Sequence, residues 1–469
     1  MAKDTDVIVV GGGGAGLAAA VTARDSGARV AIIEADTRLG GSTSLSGGVY
    51  YAADTSVQRA KGIAGDSPDA MFEYYMTLNQ YRVEPALARR ICDNAGRDLE
   101  WLIGLGVDFK PEGLYCSGVE SVARGHGAAQ RGKSITDALE AAASAKGVDV
   151  ALDTRVTALH RDESGRVVGV RLGDEVVEAG AVVIATGGFG ANPNMLHRLY
   201  PEAARHGDDW TWYIGSKHCV GDGLELGSAV GADIVGHNRG LLLTTPGFAK
   251  DLEVYVPGWL VYVNREGRRF VDETIEYAVM SGVVQAQTGA SCFALFDDAS
   301  RAAARPRPEF EQAASAGLIV LNWTTDRLDE QIKNRKIMKA DTLEELALMA
   351  GVEPAALATT VARYNADCER GEDSLYYKDG ALMRPIATPP FYAREVRTAI
   401  VCLTSTGLRI DPDARVLDKA DQPIAGLFAA GETTGGVLGE RYIGGGNSIA
   451  NAIVFGRIAG ESAARYARN

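Results

Sequence analysis

The clearest indication of the fold of this 469-residue chain is the stretch Val7-Ile8-Val9-Val10-Gly11-Gly12-Gly13-Gly14-Ala15-Gly16. Four apolar residues ended by glycine predict a buried parallel strand, residues 15–26 follow with a helical pattern, and residues 29–34 favour a second strand. A strand, a tight glycine turn, a helix and another strand make a β–α–β unit, which places the chain in the α/β class.

The glycines of this turn have the spacing of a dinucleotide-binding fingerprint. Gly11 permits the tight turn, Gly13 lets a pyrophosphate approach the backbone, and Gly16 lets the helix pack on the sheet. Glu34 ends the second strand, where its carboxylate is suited to bind a ribose hydroxyl. The opening therefore predicts a dinucleotide whose phosphates lie at a helix N-terminus.

Further segments of small residues indicate that this dinucleotide is FAD. A second loop, Gly40–Gly48, comes soon after Glu34 and suits a cofactor whose body extends past the first crevice. Near the C-terminus, the segment Gly426–Glu432 is followed by Gly444–Ala452, in which glycines lead into an apolar helix. The N-terminus of such a helix can stabilise negative charge on a reduced flavin.

The fingerprint segments are confined to the two ends of the chain. Strands and glycine turns continue to Ala185–Gly188 and return from about residue 403, whereas the stretch between lacks a fingerprint and mixes strands with helices. We therefore expect a Rossmann-like FAD-binding domain formed by residues 1–237 and 403–469, with an inserted α+β capping domain at residues 238–402.

Charge and composition narrow the range of partners. The formal net charge of −13 makes nucleic acid an unfavourable partner, because the chain would repel a phosphate backbone. The sequence has no apolar run of transmembrane length and no targeting signal at its start, and its 6 cysteines are scattered without a CxxC pair. We therefore expect a cytoplasmic protein with reduced thiols, no membrane span and no metal site.

Together, these motifs resemble those of the fumarate reductase/succinate dehydrogenase flavoprotein superfamily. The likeness covers nearly the whole length and includes Gly221–Gly223 and Asn264–Val271. It implies an FAD-dependent oxidoreductase that acts on CH–CH groups. Members with covalent flavin carry a histidine in the loop matching Gly40–Gly48, and this chain has no histidine before His126, so the resemblance implies non-covalent FAD. With the glycine motifs, it predicts cofactor contacts at Gly11, Gly13, Gly14, Ala15, Gly16, Glu34, Ala35, Gly40, Gly41, Ser42, Thr43, Ser46, Gly47, Gly48, Val156, Ala185, Thr186, Gly187, Asp222, Gly431, Glu432, Asn447, Ser448 and Ile449.

The same resemblance bears on the substrate. Fumarate reductases deliver a proton from an arginine a few residues after the stretch matching Arg268–Glu273, and here Tyr277 stands in its place. The carboxylate-binding histidine of those enzymes matches Leu403, so the usual dicarboxylate clamp is missing. A tyrosine at the first position is instead similar to the 3-ketosteroid dehydrogenases of the same superfamily.

In that group, a second tyrosine and a backbone N–H of a late glycine cluster bind the ketone oxygen of the substrate. The matching pair is Tyr442 and Gly446, and Tyr115 is our candidate for a third tyrosine from the N-terminal half. Two donors on a ketone oxygen stabilise the enolate, so the α-proton becomes acidic and can be exchanged with Tyr277 while a hydride is exchanged at the β-carbon. We expect a cyclic ketone or enone as substrate, and the electron acceptor or donor stays open.

Two other functions stay open at this point. Arg441 could bind a carboxylate through two hydrogen bonds, which would make the protein a fumarate- or urocanate-reductase-like reductase of an α,β-unsaturated acid. The chain could also be an electron-transfer flavoprotein, although the sequence encodes no haem or iron–sulfur relay.

Overall fold

A computed structural model describes residues 5–252, 256–306, 308–315 and 319–468. Its α-helices are α1 Gly14–Asp25, α2 Gly41–Leu45, α3 Ser56–Ala60, α4 Pro68–Leu78, α5 Pro85–Gly104, α6 Arg131–Ala145, α7 Pro193–Leu199, α8 Pro201–Ala204, α9 Asp222–Ala229, α10 Tyr277–Gln285, α11 Asp298–Ala302, α12 Pro308–Ser315, α13 Thr325–Lys333, α14 Leu343–Ala350, α15 Pro354–Arg370 and α16 Asn447–Arg468. Its strands are β1 Thr5–Val10, β2 Val30–Ile33, β3 Val49–Tyr51, β4 Phe109–Tyr115, β5 Gly125–Ala128, β6 Asp149–Ala151, β7 Ala158–Arg161, β8 Val167–Leu172, β9 Glu175–Ile184, β10 Trp212–Tyr213, β11 Ile234–Val235, β12 Gly240–Thr245, β13 Val261–Val263, β14 Ser291–Asp297, β15 Met338–Ala340, β16 Phe391–Thr404, β17 Gly407–Leu408, β18 Arg415–Leu417 and β19 Pro423–Ala429. None of the described helices combines the length and the apolar character that crossing a bilayer requires.

The chain forms two compact units. The first comprises Met1–Ala204, Gly215–Leu241 and Cys402–Asn469, and the second comprises Arg205–Ile214 and Leu242–Val401. The second unit thus includes a short segment, Arg205–Ile214, from within the stretch that the sequence assigned to FAD binding. The functional domain limits stay a prediction.

The central sheet of the first unit contains the β–α–β opening expected from the sequence. Its strand order is β18-β19-β9-β1-β2-β6, and β1 runs parallel to both β2 and β9, with Val7 opposite Val30 and Val9 opposite Val183. A strand between two parallel neighbours is covered on both faces, which explains why Val7 to Val10 form an unbroken apolar run. The predicted α/β class is confirmed.

The C-terminal helix α16 packs on the N-terminal helix α1. Two glycines mark the contact: a Cβ at Gly456 would lie 2.5 Å from the carbonyl oxygen of Ala15, and one at Gly460 would lie 2.2 Å from that of Ala19. Any larger residue would push the helices apart. The N-terminal fingerprint and the C-terminal glycine cluster therefore belong to one unit.

The second unit is built on a mixed sheet with strand order β10-β16-β14-β13. Alternate side chains of β14 enter two separate apolar clusters, because successive residues of a strand point to opposite faces. Phe296 packs in one cluster with Trp323, and Phe293 packs in the other with Val361. Both faces of this sheet are thus covered within the unit.

Candidate cofactor and active site

The fingerprint turn is closed on two sides and open on the third. Gly11 has φ +101°, and a Cβ there would lie 2.5 Å from the carbonyl oxygen of Ala185. A Cβ at Gly16 would lie 1.9 Å from the carbonyl oxygen of Gly11, so both positions require glycine. At Gly13 the nearest atom would be the Cα of Gly41 at 4.0 Å, which leaves room for a phosphate to approach this backbone.

The second glycine loop lies directly beside the first. The Gly40 N–H donates to the Gly12 carbonyl over 2.8 Å, and Gly40 also forms a parallel bridge with Gly13. A Cβ at Gly14 would lie 2.6 Å from the Thr43 hydroxyl. The structure therefore brings together two loops that the sequence separates by a helix and a strand.

The Glu34 carboxylate is fixed by the backbone around it. Its Oε2 accepts the Gly12 N–H over 2.6 Å, and its Oε1 accepts the Asp36 N–H over 2.7 Å. The side chain is buried, but each oxygen has a second lone pair that can accept a hydroxyl. This geometry suits the predicted contact with a ribose, next to Ala35, which is partly exposed.

Val156 and Asp222 lie in neighbouring segments of the first unit. The Thr154 N–H donates to the Glu34 carbonyl over 2.9 Å, which places the Val156 segment beside the end of β2. Arg155 forms an ion pair with Asp222, the first residue of α9. Partial burial raises the pKa of the Asp222 carboxyl, and the nearby Arg155 charge opposes that shift.

The loop from Thr43 to Gly48 is held by its own hydrogen bonds. The Ser46 hydroxyl donates to the Thr43 carbonyl over 2.7 Å and accepts the Gly48 N–H over 3.2 Å. Gly48 has φ +70°, and a Cβ there would lie 2.2 Å from the backbone of Arg131. A Cβ at Gly47 would meet nothing within 4 Å, so this side of the loop is open.

The late segment around Gly431 contacts the first helix. Gly431 has φ +77°, and a Cβ there would lie 2.8 Å from the Ala15 Cβ. The N–H and the hydroxyl of Thr404 both donate to Oε1 of the neighbouring Glu432, over 2.9 and 3.0 Å. Loss of hydration around this carboxyl raises its pKa to about 7.

Several buried polar atoms of this region have no hydrogen-bond partner among the described residues. They include the Thr186 hydroxyl, next to Gly187, the Thr433 hydroxyl, next to Glu432, and the Oδ1 of Asn447, the first residue of α16. Such orphaned groups are costly unless a bound molecule or water satisfies them. With the open faces at Gly13 and Gly47, they indicate that the predicted residues fit an FAD molecule.

Tyr442 and Gly446 lie in the segment directly before α16. The Tyr442 hydroxyl oxygen is 3.1 Å from the Ser448 backbone nitrogen and 3.0 Å from the Ser448 hydroxyl. Gly446 has φ +99°, and a Cβ there would lie 2.8 Å from the backbone of Val49. In the part of the chain that the structure describes, the Gly446 N–H donates to no acceptor. One end of this helix thus presents a phenol and an unused amide donor, with Ile449 buried in the next turn.

Tyr115 is the last residue of β4 and is 46% exposed. Two residues later, the Ser117 hydroxyl donates to the Gly445 carbonyl over 2.9 Å, and the Gly445 N–H donates to the Ser117 carbonyl over 2.8 Å. The Tyr115 segment is therefore next to the glycine cluster, and a catalytic role for this exposed ring stays a prediction.

Tyr277 is the predicted site residue that lies in the second unit, and it is the first residue of α10. The side chain of Glu276 caps this helix by accepting the Ala278 N–H over 2.8 Å. The preceding segment is anchored by Glu273, which is fully buried and accepts hydrogen bonds from Arg269 over 2.9 Å and from Lys378 over 2.7 Å. A buried ion network thus fixes the approach to Tyr277.

Helix α4 supports the segment from Val437 to Arg441, which the sequence did not indicate. The Tyr75 hydroxyl donates to the Val437 carbonyl over 3.1 Å, and the Arg441 N–H donates to Oδ1 of Asn79 over 2.8 Å. Tyr75 and Asn79 are one helical turn apart, a spacing that marks a shared face. The sequence carries that signal, but it does not identify a partner more than 360 residues away.

This chain is similar in sequence and in fold to several known flavoproteins. The FAD binding domain family matches residues 6–449. A fumarate reductase (cytochrome) of Shewanella frigidimarina is 34% identical over 476 aligned residues, covering 99% of this chain and 77% of that protein. A urocanate reductase of Eggerthella lenta is 30% identical and is matched over 76% of its length by 100% of this chain. The solved 3-ketosteroid-Δ4-(5α)-dehydrogenase from Rhodococcus jostii RHA1, in complex with 4-androstene-3,17-dione, has a TM-score of 0.78 and 27% identity, covering 99% of this chain and 97% of that one. These matches confirm FAD as the cofactor.

Proposed function

This chain belongs to the fumarate reductase/succinate dehydrogenase flavoprotein superfamily, and on that basis we propose that it exchanges hydrogen with a carbon–carbon bond next to a ketone. The favoured substrates are cyclic ketones and the matching enones. The observation that carries this proposal is the position of two hydrogen-bonding groups directly before α16. The Tyr442 hydroxyl accepts the Ser448 N–H there, and the Gly446 N–H donates to no acceptor among the described residues. The structural likeness to a ketosteroid dehydrogenase supports it.

In this proposal the chain's residues handle the oxygen and the proton. Tyr442 and the Gly446 N–H bind the ketone oxygen and stabilise the negative charge that it gains as the enolate forms. The C–H bond at the α-carbon then breaks, and its proton passes to the oxygen of Tyr277, which acts as the phenolate after releasing its own hydroxyl proton to solvent. The electron pair of that bond forms the carbon–carbon double bond as the hydrogen on the β-carbon leaves as a hydride. Bound FAD supplies the two-electron acceptor for that hydride, or its donor in the reverse direction.

The direct test is flavin absorbance under anaerobic conditions. Oxidised enzyme is mixed with steroid ketones and simple cyclic ketones, and photoreduced enzyme is mixed with the matching enones, fumarate and aryl acrylates. We expect bleaching by a ketone or reoxidation by an enone. Reoxidation by unsaturated acids alone would overturn the proposal.

Two phenylalanine variants test the assigned tyrosines. We expect Tyr442→Phe to slow the reaction with the enone by about 100-fold or more while the bound-flavin spectrum is kept, because a donor to the developing oxyanion is lost. Tyr277→Phe should block proton exchange at the α-carbon, measured by solvent deuterium incorporation. Tyr377→Phe is the matched control, since Tyr377 is 91% exposed.

A second function, reduction of an α,β-unsaturated acid, is favoured by Arg441. This residue is exposed, and its guanidinium has no hydrogen-bond or ion-pair partner among the described residues. In contrast, the adjacent Glu440 is paired with Arg82 at 3.2 Å and with Arg239 at 3.0 Å. The names of the fumarate and urocanate reductase relatives agree with this alternative. Under it, Arg441→Gln would raise the KM for an unsaturated acid, whereas the ketone reaction would be unchanged.

The third candidate function is that of an electron-transfer flavoprotein without a small-molecule substrate. It predicts that the isolated chain reduces a dye only when a protein donor is supplied. Turnover of any ketone, enone or unsaturated acid by the isolated chain with a dye would exclude it.

A further inference from the structure

The hydroxyl of Tyr442 is attached to the start of helix α16 rather than to its own loop. Its oxygen lies 3.1 Å from the Ser448 backbone nitrogen and 3.0 Å from the Ser448 hydroxyl oxygen. A backbone N–H can only donate, so the phenol oxygen is the acceptor in the first bond. One of its lone pairs is therefore directed at the helix, which limits the directions open to its own proton.

The backbone around Tyr442 is already held by other residues. The Tyr74 hydroxyl donates to the Ile443 carbonyl over 2.8 Å, and Ser117 and Gly445 exchange two hydrogen bonds. These contacts fix the loop but do not touch the phenol. Ser448, in contrast, contacts the phenol oxygen itself and therefore acts on the direction of the Tyr442 hydroxyl.

The Ser448 hydroxyl can play either part in its bond with Tyr442, because a serine hydroxyl is both donor and acceptor. If Ser448 donates, the Tyr442 proton points away from the helix and can be donated to another oxygen. If Ser448 accepts, the Tyr442 proton is used in the hydrogen bond to Ser448 and is not directed at a substrate. A substrate carbonyl oxygen that gains negative charge favours the arrangement in which Ser448 donates. As the Tyr442 hydroxyl donates to that oxygen, negative charge develops on the phenol oxygen, and the N–H and hydroxyl of Ser448 at the helix N-terminus stabilise it.

We propose that Ser448 is a positioning residue that aims the hydroxyl proton of Tyr442 at the substrate carbonyl. This rests on the proposed function, in which Tyr442 binds the ketone oxygen. Ser448 acts through Tyr442 and need not touch the substrate. The role is separate from the cofactor contact predicted for Ser448, because the side-chain hydroxyl carries it.

The kinetic test uses FAD-loaded enzyme and the enone that reoxidises it fastest. We expect Ser448→Ala to slow the reaction about 10- to 100-fold, the effect of removing one hydrogen bond to a charged group, and Ser448→Thr to restore most of the rate. In the Tyr442→Phe background, Ser448→Ala should have no further effect, because the phenol through which it acts is gone. An equal slowing in both backgrounds, or no slowing at all, would overturn the proposal.

A readout that needs no substrate separates this proposal from the proposed function. Fluorotyrosine is placed at position 442 of the FAD-loaded enzyme, and its ionisation is followed by ¹⁹F NMR. We expect Ser448→Ala to raise the pKa of this phenol by about 1, because the phenolate loses a donor. An unchanged titration contradicts the Ser448 proposal even if enones react. Failure of all enones with an altered titration contradicts the proposed function and leaves the Ser448–Tyr442 coupling established.

Discussion

The two units of this protein fix their candidate functional residues by different means. In the first unit, contacts of backbone atoms position the residues. Gly16 packs against the carbonyl oxygen of Gly11, and the Ser448 N–H donates to the Tyr442 hydroxyl. In the second unit, the segment before Tyr277 is fixed by charged side chains around the buried Glu273. Backbone packing depends on the absence of side chains, whereas an ion network depends on every member being present. The two units should therefore fail in different ways when single residues are changed.

The largest expected effect breaks the second unit alone. Glu273→Gln leaves the buried charges of Arg269 and Lys378 without their shared partner, so we expect a loss of about 3–5 kcal/mol in the free energy of unfolding. Urea unfolding followed by tryptophan fluorescence measures it, and the far-UV signal of the first unit and the FAD content should persist. Glu344→Gln, on an exposed site of the same unit, is the control. An unfolding midpoint equal to that of the control would mean that the network does not stabilise the unit.

The next effect concerns a buried histidine of the first unit. His126 lies between the Thr55 hydroxyl and the Arg124 carbonyl, each 2.8 Å from a ring nitrogen, and burial lowers its pKa to about 4. The unfolded chain then binds the proton first, so stability is full above about pH 6.5 and falls by up to about 3 kcal/mol as the pH drops to 4. His126→Gln should flatten this part of the curve of unfolding free energy against pH. Replacing the exposed His237 should not change it, and an unchanged slope in His126→Gln would contradict the assignment.

A smaller effect tests the backbone packing of the first unit. Gly16→Ala places a Cβ 1.9 Å from the Gly11 carbonyl oxygen, so the fingerprint turn must shift. We expect FAD affinity to fall about 10- to 100-fold, the cost of overpacking by one methyl group, measured by flavin fluorescence titration of the apoprotein. Gly104→Ala is the matched control, because a Cβ at this helical glycine meets nothing within 4 Å. Equal affinity in both variants would show that the turn tolerates a side chain.

A second pH dependence, similar in size to that of His126 but opposite in sign, is expected at Glu432. Its pKa is raised to about 7, so the folded apoprotein keeps a proton that the unfolded chain releases near its ordinary value of 4.5. The free energy of unfolding should therefore fall as the pH rises from about 4.5 to 7, and Glu432→Gln should remove that fall. Thermal unfolding of the apoprotein across this range checks it. The exposed Glu163, changed to Gln, serves as control, and a slope shared by both variants would contradict the shift.

Features fixed by local backbone constraints could be predicted from the sequence, whereas features fixed by distant side chains could not. The fingerprint, the α/β class and FAD were predictable because each glycine answers a local constraint, such as the φ of +101° at Gly11. The anchoring of Tyr277 was not predictable, since Glu273 reaches Lys378 across 105 positions of the chain. The local sequence around Glu273 or Lys378 does not indicate that the two side chains form an ion pair.

The α/β class and FAD followed from the sequence, because glycine spacing, strand and helix act within a few residues of one another, and the FAD contacts of these segments stay a prediction. How the candidate catalytic residues are held depends instead on contacts between distant parts of the chain. Tyr74 supports Ile443 from 369 positions away, and Ser117 supports Gly445 from 328 positions away. The tertiary structure also gave Arg205–Ile214 to the second unit and left Tyr115 at the surface. These outcomes depend on which distant surfaces pack together, and hydrogen-bond geometry over 3 Å is set only after that packing has occurred.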